Sequence, residues 1–257
     1  MDLKIIDNLF VVSGATSGFG RAIAEALIQE GARLIINARG EDKLIAFQQL
    51  YPEQIEIVPG DITTDAVISN LIRKVDGRSL SGMLVNAGGP PASSFISTEI
   101  EQWDEAYKSV LRWKVKLTKA MLPVLSEDKY GRIIYIESAS VKQPIANLVL
   151  SNSLRLAVVG FVKTLSQEVA KDGITLNIIA PGYHDTAAMG RLFSKKSELM
   201  GISIDEAKEE FKNQTQTGTL GQAEDLASIA CWLFSPMSSY ITGQTITIDG
   251  GLVSNTL

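Results

Sequence analysis

The sequence predicts an α/β fold, doubly wound, with one mostly parallel, seven-stranded sheet and helices on both faces. Seven short runs rich in Val, Ile and Leu are spread along the 257 residues. The longer stretches between them carry apolar residues at helical spacing. The strand runs are close to continuously apolar, as strands buried on both faces must be. Crossovers between parallel strands are right-handed, and that hand winds helices onto both faces of one sheet.

In chain order the strand runs are LFVVS at 9–13, RLIIN at 33–37, IEIV at 55–58, MLVN at 83–86, RIIYIE at 132–137, ITLNIIA at 174–180 and TITI at 245–248. The first intervening helix, RAIAEALIQEGA, sets Ile23, Ala26 and Leu27 on one stripe and stops at Gly31. Helices over 101–122 and 151–171 carry similar stripes; in the second, Leu154, Ala157, Val158, Phe161 and Leu165 share a face. No repeat or low-complexity linker divides the chain, so residues 1–257 read as a single domain. The segment 187–217 is polar and helical in pattern, and falls between the last two strand runs. It reads as a substrate-covering insertion or a plain surface excursion.

Composition narrows the function classes. The net charge of −5 gives no electrostatic reason to expect nucleic acid or an anionic membrane as partner. No apolar run approaches the roughly 20 residues of a membrane helix, and the N-terminus lacks the layout of a signal peptide. The single cysteine, Cys231, lies in the apolar run IACWLF and is expected to pack rather than react. These features fit a cytoplasmic protein. No cluster has metal-ligand spacing, and no G-x-S-x-G turn occurs.

The strongest local motif is SGATSGFG at 13–20, placed between the first strand and the first helix. Gly14, Gly18 and Gly20 allow a tight turn and let a pyrophosphate approach backbone amides at the helix N-terminus, the phosphate site of a Rossmann-type fold. At the end of the second strand a carboxylate would accept hydrogen bonds from a ribose. Here the sequence is Asn37-Ala38-Arg39, and the Arg39 guanidinium suits a 2′-phosphate. NADP(H) is therefore favoured over NAD(H).

Further motifs come in order: GDIT at 60–63, NAGG at 86–89, Glu137-Ser138, PGYHDT at 181–186 and TGQTITIDGG at 242–251. Together they resemble the short-chain dehydrogenase/reductase family, in its β-ketoacyl-carrier-protein-reductase-like branch. The resemblance implies that Ser13, Gly14, Ser17, Gly18, Phe19 and Gly20 line the pyrophosphate and adenosine ribose. It places Asp61 and Ile62 beside adenine, Asn86, Ala87 and Gly88 behind the cofactor, and Pro181, Gly182 and Thr186 at the nicotinamide end. It also implies a homo-oligomer, a tetramer or dimer, built on the helices at 101–122 and 151–171, where Ala157 and Gly160 permit close approach.

The family's chemistry rests on an Asn, a Ser, a Tyr and a Lys four residues after the Tyr. Ser138 matches the Ser. The Tyr and Lys positions hold Ser151 and Arg155, and Val110 aligns with the Asn; the family's Lys also binds the nicotinamide ribose, so the resemblance makes Arg155 a cofactor-binding residue as well. A serine hydroxyl is a far weaker acid than a phenol, and an arginine keeps the charge but relays no proton. His184 is a candidate proton donor on the strength of its titration range; the bland reading is a loop histidine. Glu137 is expected to pair with Arg155 or Lys142. The candidate catalytic set is thus Ser138, Ser151, Arg155 and His184. The sequence implies an NADP(H)-dependent oxidoreductase acting on a small carbonyl or alcohol of the 3-oxoacyl type with a non-standard proton donor. Its alternative is a catalytically silent NADP(H)-binding regulator or partner subunit.

Overall fold

The computed structural model describes residues 1–75, 77–127 and 129–256. Seven strands form one sheet: β1 (Leu9–Ser13), β2 (Arg33–Ala38), β3 (Ile55–Pro59), β4 (Gly82–Val85), β5 (Gly131–Ile136), β6 (Ile174–Pro181) and β7 (Thr245–Ile248). Their order is β3-β2-β1-β4-β5-β6-β7, and every pairing is parallel. Each predicted run is a strand, with ends shifted by a residue or so. The order reverses between β1 and β4, the crevice where such sheets bind ligands.

Successive strand side chains point to opposite faces, so each strand feeds two cores. Phe10, Val12, Leu34 and Ile36 join Leu27 of α1 (Gly18–Gln29), Phe47 of α2 (Glu41–Leu50) and Phe234 of α9 (Ala223–Phe234). Val11, Ile35, Met83 and Tyr135 join Leu71 of α3 (Asp65–Val75), Trp113 of α5 (Trp113–Glu127) and Val158 of α6 (Val149–Val169). Cys231 is buried in the first core, where desolvation pushes its thiol up to about 12, so it packs as expected.

The stretch predicted as one helix over 101–122 is interrupted. α4 (Ile100–Ala106) passes into α5 through a π-helical segment, Tyr107–Arg112. Such a segment inserts a residue and rotates the helix beyond it. There α5 lays Lys114 and Thr118, one turn apart, over Glu137 and Tyr135 at the end of β5.

Residues 187–217 hold α7 (Ala187–Met200) and α8 (Ile204–Lys212). Thr186 caps the first, and Ser203 with Glu206 forms a capping box on the second. The pair closes on a small core of its own, in which Met189, Phe193 and Leu220 pack with Tyr183 and Phe211. Among the described residues no helix is long and apolar enough to cross a membrane.

Candidate active site at the carboxyl ends of β1, β4, β5 and β6

The glycine turn is built for close approach. Gly14 has a φ of 66°, and a Cβ on Gly20 would lie 2.2 Å from the Gly14 carbonyl oxygen. Only glycine lets the start of α1 pack onto the turn. Ser17 caps α1 without a side-chain hydrogen bond, and the first turn holds no acidic residue. The helix N-terminus therefore presents unsatisfied N–H groups and a positive dipole end, which fits a pyrophosphate. Ser13 works from behind. It is fully buried, its hydroxyl donates to the Leu84 and Asn86 carbonyls, and it accepts from the Asn86 N–H at 2.9 Å. These bonds lock the end of β1 to Asn86-Ala87-Gly88.

At the end of β2, Asn37 is buried and its amide donates to the Val58 and Gly60 carbonyls, at 2.8 and 3.1 Å. It is spent on holding β2 to β3. Arg39 is exposed just beyond. Asp61 accepts from Thr63, while Ile62 is buried beneath. Arg39 and the Asp61–Ile62 turn follow the neighbouring strands β2 and β3.

The end of β5 carries a buried charge network. The Glu137 carboxylate has no solvent exposure; one oxygen accepts from Lys114 and the other from Arg155 Nη1 at 2.9 Å. Lys142, the other expected partner, is not in this network. Arg155 Nε donates to Ser151 Oγ at 3.0 Å. The helical spacing of Ser151 and Arg155 therefore becomes a direct bond, and Ser151 keeps its own hydrogen for another acceptor. Ser138 Oγ accepts from the Ser140 N–H at 3.1 Å and likewise keeps its hydrogen. Val110 is buried and offers no polar group. Desolvation drives the Lys114 pKa down, with Glu137 opposing and Arg155 adding to the fall.

His184 packs beside the glycine turn. Its ring is buried, stands edge-on to Phe19 with centroids 5.1 Å apart, and fills the space a Cβ on Gly221 would need. Nδ1 is 3.2 Å from the Gly182 carbonyl, and Nε2 has no partner. Burial lowers its pKa from the ordinary 6.5, favouring the neutral ring. No described hydrogen bond joins it to Ser138, Ser151 or Arg155. Pro181 ends β6, and Gly182 packs so closely on Asp249 that a Cβ would lie 2.6 Å from the Asp249 Cβ. Thr186 lies across from Gly18, its Cβ 4.0 Å from where a Gly18 Cβ would be.

Residues 14–253 match the family model described as enoyl-(acyl carrier protein) reductase. The 3-oxoacyl-acyl-carrier-protein reductase FabG of Rickettsia bellii is 31% identical over 246 residues, covering 95% of both chains. That of Escherichia coli K12 is 30% identical over 249 residues, covering 95% of this chain and 97% of the other. The chain belongs to the short-chain dehydrogenase/reductase family. Among solved structures, YwfH, an NADPH-dependent reductase involved in bacilysin biosynthesis, superposes with a TM-score of 0.91 at 26% identity, covering 97% of this chain and 99% of that one. An actinorhodin polyketide ketoreductase variant with NADPH gives 0.91 at 27%, covering 97% and 98%.

Within this short-chain dehydrogenase/reductase, sequence reasoning found Glu137 and Arg155 but missed Lys114. The signal was available: Lys114 lies one helical turn beyond Val110, and a helix packed between two elements buries whatever stands on its inner face. The π-helical segment, which turns Lys114 toward β5, has no such signature in the sequence.

Proposed function

We propose that this protein is a cytoplasmic NADPH-dependent reductase of a small carbonyl compound of the 3-oxoacyl type, working without a phenolic proton donor. The observation that carries the reading is Ser138, with its hydrogen unspent, next to the Glu137–Arg155 network at the crevice that also holds the glycine turn. NADPH would supply the hydride. Gly14, Ser17, Gly18, Phe19 and Gly20 would hold its pyrophosphate, Arg39 its 2′-phosphate, Asp61 and Ile62 its adenine, and Pro181, Gly182 and Thr186 its nicotinamide end.

Ser138 donates a hydrogen bond to the substrate oxygen. Arg155 stabilises the negative charge that develops on that oxygen, electrostatic work it performs without losing a proton. Ser151, held by Arg155 Nε, passes its hydrogen to the product oxygen and regains one from water. His184 serves by packing the PGYHDT loop onto Phe19. α7 and α8 cover the substrate. Ala157 and Gly160 are exposed on α6, which supports self-association through that face; light scattering on Gly160→Arg tests it.

The deciding experiment is an NADPH titration followed by ketones, aldehydes, β-ketoacyl thioesters and enones. Turnover that Ser138→Ala abolishes while NADPH still binds supports the reading. Binding with no oxidation of NADPH across the panel sinks it in favour of a non-catalytic binder.

A further inference from the structure

We propose that Glu137, braced by Lys114, is a positioning residue: it holds the Arg155 guanidinium in the orientation that turns Nη2 toward residues 86–89 and the nicotinamide ribose. The proposal rests on the NADPH reading above, in which Arg155 is a cofactor-binding residue.

The carboxylate is fixed before it meets either cation. The Glu137 N–H donates to the Ile179 carbonyl at 2.9 Å, one residue past the end of β5, and Ser138 caps the 3-10 turn Ala139–Val141. The backbone is therefore held on both sides of the side chain. One carboxylate oxygen takes Lys114 and the other takes Arg155 Nη1 at 2.9 Å. Lys114 is anchored in turn, because Thr118 Oγ1 and Tyr135 Oη, 2.7 Å apart, dock α5 onto β5 one turn along. With both oxygens taken, the carboxylate cannot swing away from Arg155.

An ammonium donates in any direction, whereas a guanidinium donates only in its own plane. An arginine at position 155 therefore needs that plane set, a demand a lysine would not make. Glu137 sets it through Nη1, and Ser151 through Nε at 3.0 Å. The third nitrogen, Nη2, has no acceptor among the described residues. It lies 2.7 Å from where a Cβ on Gly89 would be, so the guanidinium fills the space a side chain there would take. Gly89 ends the 86–89 segment, and Ser13 bonds Asn86 to the end of β1 that leads into the glycine turn. The two anchors thus aim Nη2 at the segment assigned to the cofactor.

Stability alone gives no reason for this arrangement. Three charged side chains sit where Lys114, Arg155 and Glu137 are 4%, 11% and 0% exposed. Replacing a buried ion triad with apolar residues of similar volume is often neutral or stabilising. What the network does secure is the orientation of Arg155.

The test reads binding by the full chain, without substrate, in calorimetric titrations with NADPH and with adenosine 2′,5′-bisphosphate. The bisphosphate carries the adenosine half of the cofactor and has no nicotinamide ribose. Lys114→Met leaves Glu137 and Arg155 as a balanced pair and is the background for two double variants. Adding Glu137→Gln keeps an acceptor for Nη1; adding Glu137→Leu keeps none. The doubles carry the same charge, so a difference between them reports the hydrogen bond, and circular dichroism melts verify that both fold. The Leu double is expected to bind NADPH about tenfold or more weakly than the Gln double, with the bisphosphate bound equally by both. A purely structural role would move the two ligands together. Adding Arg155→Met to each double should erase the difference, since Glu137 acts only through Arg155. Glu137→Asp, which keeps the charge and shortens the reach by one methylene, should likewise weaken NADPH alone, and it gives a reading even where the Leu double does not fold. Equal NADPH affinity in the doubles, a parallel loss of the bisphosphate, or a difference that survives Arg155→Met would each overturn the proposal. The expected binding pattern without turnover of any ketone would leave the positioning role standing and sink the reductase reading. Turnover abolished by Ser138→Ala, with NADPH affinity equal in the doubles, would do the reverse.

Discussion

Glu137 and Arg155 meet at 2.9 Å, with the glutamate side chain wholly shielded from water and Lys114 on its other oxygen. One carboxylate thus holds two cations at the end of β5. Breaking a buried pair by removing one partner costs about 3–5 kcal/mol, because a desolvated charge is left uncompensated. Glu137→Leu leaves two such charges, so its loss should lie at or above that range in urea unfolding. Glu137→Leu combined with Lys114→Met leaves one and should recover part of the loss. A double variant no more stable than the single one would remove Lys114 from the network.

That network also marks how far the sequence could be read. The seven strands were legible because each is apolar along its length, and the glycine turn because its backbone demands leave residues no choice. Glu137 stood out as an acid ending an apolar strand, and Arg155 by its spacing from Ser151. The third member, Lys114, was legible by its place one turn beyond Val110 but not in its orientation, which follows the π-helical segment Tyr107–Arg112. His184 was legible as a titratable group in the loop after β6, but its packing was not. Its burial against Phe19 arises where the β6–α7 loop meets the β1–α1 turn, a contact between residues far apart in the chain.

Arg39 is an exposed cation just past the end of β2, next to an Asn37 whose amide is already committed to β3. A charge-assisted hydrogen bond is worth about 1.5–3 kcal/mol. Arg39→Ala is therefore expected to weaken NADPH binding by about 10- to 100-fold while leaving NADH nearly unchanged. Fluorescence titration with both dinucleotides checks this. An equal loss for the two would place Arg39 away from the 2′-phosphate.

The turn at Gly20 tolerates no side chain. Its added Cβ would meet backbone, the Gly14 carbonyl oxygen, rather than the end of a flexible side chain. Gly20→Ala must move the start of α1 off the turn, an overpacking cost of about 1–3 kcal/mol, and should weaken dinucleotide binding by more than tenfold. Gly160→Ala, made where nothing lies within 4 Å, is the control and should bind normally. Normal binding by Gly20→Ala would show that the turn relaxes without disturbing the phosphate site.

His184 should make stability depend on pH in mildly acidic solution. Desolvation holds its folded pKa below the ordinary 6.5, with smaller opposing contributions from the Gly182 carbonyl, Asp225 and Asp249. Between the two pKa values the unfolded chain binds the extra proton, so stability falls as the pH falls. This contribution is fully present above pH 6.5 and declines below it toward the depressed folded value, where it levels off. Phe19 ties the same ring to the glycine turn, so dinucleotide affinity should decline over the same interval. Thermal melts and NADPH titrations at half-unit steps from pH 5 to 8 measure both. His184→Gln, which has no proton to gain, should flatten the two profiles together. If the melting profile keeps its slope in that variant, carboxylates elsewhere govern the acid limb and His184 is a packing residue alone.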